Sequence, residues 1–286
     1  MKRNKQETVR FLSLPDLPHI QAVHGVNVTH EFLRHIHNGF SIGIVLKGGR
    51  VIERNGTSTI IPENDVFVIN PGEPHSCKSR SKRHSYLTIC VDAKSMNAVA
   101  SQISEKTQTI PYFMNILLRD GELSSKIQQF FSLVESSSSI IEKESILVSF
   151  LSTLILRYGD NPPKPCRIDP HIGMKNKARE YIEVHYAQNI TLKHLASVAC
   201  LSPFYFQRLF LKIMGISPHD YLIQVRIKKA REFLAEGKNI VSVALDTGFV
   251  DQSHFNRSFK RVTGITPGRY LQAGKIHHKK KEKSNH

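Results

Sequence analysis

Apolar and polar positions take three textures along this chain. Between residues 40 and 91 the apolar positions form short β-branched or aromatic-rich runs at 40–46, 50–54, 57–61, 66–69 and 86–91, separated by Gly48-Gly49, Asn55-Gly56 and Pro71-Gly72. Such runs read as strands, Asn-Gly between two of them reads as a hairpin turn, and many short strands with close turns predict a sandwich or small barrel. From 122 to 158 the spacing becomes helical: Ile127, Phe130, Phe131 and Val134, a polar break at 136–139, then Ile146, Leu147, Phe150, Leu151, Leu154 and Ile155. This predicts a helical hairpin. Six large apolar residues within ten positions exceed one stripe against a small barrel, so part of the hairpin is expected to meet a second copy of the chain.

The third texture, from 172 to 271, repeats one grammar twice: a short helix, a tight turn, then a helix with its polar residues on one face. Thr191 can cap a helix with Leu192, Leu195, Ala196 and Ala199 on its apolar side, and the chain turns through Cys200, Leu201 and Ser202. Ser202-Pro203 restarts a helix over 203–214, stopped by Gly215. Its buried stripe is Phe206, Leu209, Phe210 and Ile213, leaving Phe204, Gln207, Arg208 and Leu211 on an outward face. In the second unit Ile240, Val243 and Ala244 lead through Thr247-Gly248-Phe249 to the cap Asp251 and a helix over 251–262. Phe255, Phe259 and Val262 are expected inside, with Gln252, Ser253, Asn256, Arg257 and Lys260 outside. Glutamine, asparagine and arginine pair bidentately with adenine and guanine edges, so these residues on one helix face point to DNA.

Charge agrees with that reading. The chain has 286 residues and a formal net charge of +16, with a sequence pI near 9.8. Residues 172–286 hold 20 Lys and Arg against 8 Asp and Glu, so most of the excess lies in the helical half and calls for an anionic partner. Four cysteines, Cys77, Cys90, Cys166 and Cys200, form no C-x-x-C pair, and no run is apolar enough to span a bilayer. The expectation is a soluble cytoplasmic protein without membrane contact. The segment 159–171 is proline-rich and reads as a linker, and 274–286 as a basic disordered tail that adds non-specific attraction to phosphate.

The runs LSPFYFQRLF and GFVDQSHFNRSFKRVTGITP, joined by an A-x-x-x-L helix, resemble the DNA-binding domain of the AraC/XylS family of transcription regulators. The resemblance implies an all-helical domain in which a helix at 221–236 rigidly joins two helix-turn-helix units, each recognition helix entering a major groove. It implies double-stranded DNA and RNA polymerase as partners, activation as the outcome, and a homodimer formed through the hairpin. The order His35-x-His37, Phe40, an Asn-Gly hairpin, Asp65 and Pro71 to His75 resembles the cupin-like effector domain that precedes many such domains. Arg34, His35, His37, Glu73 and His75 are its candidate effector-binding residues, and a cationic set suits a carboxylate ligand. The carboxylate that metal-binding cupins place after the paired histidines is missing here, where Asn38, Gly39, Phe40 and Ser41 follow. Histidines lining a pocket, with no metal, no cofactor and no catalytic residue, are therefore expected.

The resulting expectation is a multidomain α and β protein: a cupin-like barrel over 1–120, a dimerising hairpin over 121–158, the linker, and a double helix-turn-helix domain over 172–273. Its function would be sequence-specific transcription regulation controlled by a small-molecule effector. Two alternatives stand beside it, a metal-dependent cupin-type enzyme and a protein that binds nucleic acid through charge alone.

Overall fold

Asn55 and Gly56 both take positive φ, 52° and 75°, the conformation a two-residue hairpin requires, and they join two strands in the register Arg54 opposite Thr57. A computed structural model describes residues 7–104, 106–165 and 175–272. In it ten antiparallel strands build two sheets. The strands are β1 (Thr8–Leu12), β2 (Ile20–Val28), β3 (Phe32–His35), β4 (Phe40–Lys47), β5 (Arg50–Arg54), β6 (Thr57–Ile61), β7 (Val66–Ile69), β8 (His75–Ser79), β9 (His84–Val91) and β10 (Leu117–Leu118). One sheet has the order β1-β2-β9-β4-β7-β10, the other β3-β8-β5-β6. Val45, Ile52, Ile61, Phe67, Ile69 and Cys77, drawn from both sheets, form the core between them.

Three helices accompany the sheets: α1 (Ala93–Ser104), α2 (Gly121–Glu135) and α3 (Ile140–Tyr158). The predicted hairpin is α2 with α3, broken where the sequence places it. Leu147, Phe150, Leu151, Leu154 and Ile155 are all at most 7% exposed within the single chain. Ile146, the remaining residue of that run, is half-buried, so most but not all of the apolar surplus that argued for a second copy is covered within the chain.

The described residues divide into two compact units, Met1–Glu135 with Ile146–Arg167, and Ser136–Ser145 with Ile168–His286. The first six residues of α3 therefore group with the C-terminal unit, whereas the sequence reading gave the whole hairpin to one segment.

That second unit holds α4 (Lys175–His185), α5 (Leu192–Val198), α6 (Pro203–Met214), α7 (Pro218–Ala235), α8 (Ile240–Asp246) and α9 (Gln252–Thr263). The caps fall where the sequence puts them. Thr191, Ser202 and Asp251 accept from the amides of His194, Tyr205 and His254, while Gly215 and Gly264 close α6 and α9 in the left-handed region. The α7 helix begins three residues before its expected start because Ser217-Pro218 repeats the Ser202-Pro203 signal. On its inner side Ile223, Ile227, Ala230 and Leu234 pack with Val243, Ala244, Phe249, Phe255 and Phe259 of the second helix-turn-helix. Arg226, 2% exposed, donates from Nε to the Tyr186 carbonyl at 2.7 Å and from Nη2 to that of Gln188 at 2.8 Å. Burial lowers its pKa to about 10, so it stays charged and fastens the chain after α4 to α7.

Candidate DNA-reading and effector sites

On α9, Gln252, Ser253, Arg257 and Lys260 are exposed and Asn256 is half-buried, while Phe255 and Phe259 are wholly enclosed. The α6 helix presents Leu211 at 51% exposure and half-buried Gln207 and Arg208. Each reading helix is preceded by a short helix, α5 or α8, and a turn whose geometry has a local cause. Cys200 takes φ 53° in the first, and Gly248 takes φ 81° in the second against the Ala187 carbonyl.

The segment Ser136–Ser145 lies on these helices within the same unit. Gln207 donates from Nε2 to the Ser145 carbonyl at 3.2 Å, and Arg257 from Nη2 to the Ser137 carbonyl at 2.9 Å. Glu144 accepts the Leu192 amide at 2.6 Å, at the start of α5. Glu142, 7% exposed, sits between two imidazoles: its carboxylate oxygens are 3.1 Å from His219 Nε2 and 3.2 Å from His254 Nε2. Both contacts are at ion-pair distance, though neither has well-formed hydrogen-bond alignment. Burial alone would raise the Glu142 carboxyl, but the two imidazoles outweigh it and hold it far below the usual carboxylate range. His219 is raised: burial opposes its protonation, and Asp220 and Glu142 overcome that.

In the barrel His35, His37 and His75 converge. The Nε2 atoms of His35 and His37 are 3.2 Å apart, and candidate ligand atoms of all three lie within 4.8 Å of one another. His35 Nδ1 lies 2.6 Å from the Leu33 carbonyl and His75 Nδ1 2.9 Å from that of Glu73, contacts in which each Nδ1–H donates. Burial pushes His75 down to about 4, partly opposed by the Glu73 carbonyl and assisted by His35, His37 and Arg50. His37 is lowered for similar reasons, burial first. Three imidazoles offer a nitrogen donor set to a borderline divalent ion. Among the described residues no carboxylate joins them, and the Arg50 charge already disfavours a further cation, so the set fits a hydrogen-bonding pocket lining better than a metal centre.

Comparison with known proteins follows both halves. A family profile described as an AraC-like ligand binding domain matches residues 18–151, and one described as a helix-turn-helix domain matches 195–273. The HTH-type transcriptional regulator YbfI of Bacillus subtilis (strain 168) is 31% identical over 250 residues, covering 87% of this chain and 90% of its own. The chain belongs to the AraC family. The Arabinose operon regulatory protein of Salmonella typhimurium is 25% identical over 81% of this chain and 83% of its own length. The Bifunctional transcriptional activator/DNA repair enzyme AdaA of B. subtilis is 30% identical over 52% of this chain and 77% of its own.

This AraC-family protein is a DNA-binding transcription regulator with an N-terminal AraC-like ligand-binding domain. Several residues lie elsewhere than its sequence suggests. Phe204, expected outside, is 4% exposed, with the Arg208 guanidinium 5.2 Å from its ring centre. Val262, expected inside, is 43% exposed. Arg34 is exposed, outside the imidazole cluster. Glu73 is tied up by Arg54 at 2.9 Å, Tyr112 Oη at 2.9 Å and the Asn70 amide at 3.2 Å. Burial would raise its carboxyl, but Arg54, Tyr112 and Asn70 prevail and lower it.

One residue of the AraC-family barrel escaped the sequence reading altogether. Arg50 is 7% exposed and lies 4.4, 5.2 and 5.4 Å from the ring centres of Tyr86, Phe67 and Phe32. The sequence reading placed it in the strand run 50–54 and gave its side chain no role. The available signal was alternation, since buried Ile52 sets the inward face of β5 and Arg50 shares it.

Proposed function

We propose that the regulator reads two successive major-groove faces with α6 and α9, and that Ser136–Ser145 competes with DNA for those helices. Gln207 and Arg208 of α6 and Gln252, Asn256 and Arg257 of α9 would read base edges, with Ser253, Lys260, Leu211 and helix amino termini setting register. The observation that carries this is the engagement of Gln207 and Arg257, one from each reading helix, by backbone carbonyls of a single short segment. Those carbonyls occupy donors that a base edge would otherwise take. Bound effector in the barrel would favour the released state, the thermodynamic requirement for control by ligand. Activation, with contact to RNA polymerase, is supported by the name of the relative AdaA. A cytoplasmic location suits the free Cys77, Cys90 and Cys200. A homodimer remains part of the reading, through surfaces other than the covered stripe of α3.

The test is selection of sites from a random DNA pool by the full chain and by Glu142→Gln, each at two salt concentrations. Two short blocks about one helical turn apart, recovered more strongly by the variant, are expected. Binding that fades with salt and yields no pattern would reduce the function to charge alone.

A further inference from the structure

The inner face of β9 is polar. Tyr86 stands opposite Gly25 and Thr88 opposite Val23, and His84, two residues before Tyr86, shares their side of the strand. All three are buried, with His84 at 1%, Tyr86 at 3% and Thr88 at 7% exposure. The Tyr86 ring lies over Gly25 and the Phe67 ring over Gly43, where a Cβ would come within 2.4 and 2.5 Å of the neighbouring atoms. Those two rings and Phe32 surround the guanidinium of Arg50.

Several polar groups of this enclosure go unsatisfied among the described residues. Arg50 Nε and Thr88 Oγ1 are enclosed without hydrogen-bond partners, and neither ring nitrogen of His84 has a well-formed one. No carboxylate pairs with Arg50 among the described residues. The acid whose charge reaches His84 and Tyr86 is Glu7, which sits at the surface and accepts from Thr29. A guanidinium 7% exposed, with its Nε enclosed and without a partner, is a stability cost, because ring quadrupoles offset desolvation only in part and provide no acceptor. Groups retained at such a cost mark a site with another occupant.

We propose that the barrel interior takes a small organic monocarboxylate, its carboxylate forked on Arg50 and flanked by Thr88 and His84, its body against Phe32, Phe67 and Tyr86. The inference rests on the reading of this domain as the effector site and names the effector's class. The planar guanidinium fork matches a carboxylate in two parallel hydrogen bonds. The charge count favours a monoanion. Burial and Arg50 push His84 down to about 4, and His75 is held at about 4, so near neutral pH both imidazoles are uncharged and Arg50 supplies one positive charge. A phosphate dianion would leave one negative charge uncompensated in the interior. Sheet alternation puts Arg50, Ile52 and Arg54 on one face, and Arg54 is already spent on Glu73.

The experiment titrates ¹⁵N-labelled full-length protein at pH 7.5 and fixed ionic strength with sodium acetate, sodium benzoate, benzamide and sodium phosphate. Two signals are followed, the Arg50 Nε–H resonance and the thermal midpoint. A saturable shift of both with at least one carboxylate, none with benzamide, and none with phosphate is expected. Arg50→Met should abolish the response while melting no lower than the parent, since it removes an unpaired buried charge, and Arg50→Lys should weaken binding by at least about tenfold through loss of the fork. Arg50→Met melting well below the parent, with no carboxylate response in the parent, would make Arg50 a structural cation and overturn the proposal. So would a response that survives Arg50→Met, one that benzamide matches, or one in which phosphate is preferred. DNA binding by the same preparations separates the two readings: intact DNA recognition without a carboxylate response refutes only the effector class, and the reverse refutes only the regulator reading.

Discussion

Arg257 and Lys281 carry the same charge and should fail differently. Arg257 is exposed on α9 and is proposed to read a base edge, so Arg257→Ala is expected to cost about 1–3 kcal/mol at one base pair and relax specificity there. Lys281 lies outside the described residues, in the basic stretch read from sequence, and Lys281→Ala should weaken all sequences alike. Binding isotherms on the selected site and on random DNA check both, and equal losses for Arg257→Ala would remove it from the base readers. Glu142 makes a second prediction, in pH. Its carboxyl is depressed, so its contribution is present above the ordinary 4.5 and declines on acidification; His219 is raised, so its contribution is complete below the ordinary 6.5 and is lost as pH climbs through the higher folded value. The difference in melting temperature between the parent and Glu142→Gln should therefore be largest between pH 4.5 and 6.5 and narrow on either side. A difference independent of pH would mean that packing, not charge, holds the segment. At this scale the sequence was legible where one helix decides exposure, as for Gln252 and Phe255. It was not for Phe204, which is buried with Arg208 of the same helix over its ring, nor where strand alternation turns a charge inward, as for Arg50.

Elements were read best where their ends carry chemistry. Ser202-Pro203, Asp251, Gly215 and Asn55-Gly56 each satisfy or pre-set particular backbone groups, and each boundary falls where those residues place it. Strands β1, β3 and β8 carry exposed or polar residues and little β-branched alternation, so nothing local announces them. The α1 helix was readable yet passed over: its buried Met96, Val99, Ala100 and Ile103 recur at offsets of three, four and seven. Two substitutions test the element scale. Ser202→Ala removes the acceptor for the Tyr205 amide and should cost about 1 kcal/mol in denaturant unfolding. Gly248→Ala should cost more, because its φ of 81° disfavours a side chain and its Cβ would meet the Ala187 backbone at 2.6–2.9 Å. Equal effects would show that the close approach relaxes freely.

For the molecule as a whole, composition and charge set a strand-rich half apart from a basic helical one, and one family profile matches within each, at 18–151 and 195–273. What the one-dimensional pattern could not supply was how much apolar surface the chain covers by itself. Leu154 is 0% exposed in the single chain, so Leu154→Ala should lower stability by about 2–5 kcal/mol whatever the protein concentration. A loss that appears only on dilution in sedimentation experiments would return that stripe to a subunit interface.

Arg226 fastens the chain after α4 to the helix that joins the two reading units, leaving no slack between them. One inserted base pair moves the second block by about 3.4 Å along the duplex and by roughly a tenth of a turn around it. A target could then vary in its letters but not in its spacing, so the regulator's sites in a genome should align without gaps, and an insertion should be rarer among them than any single mismatch.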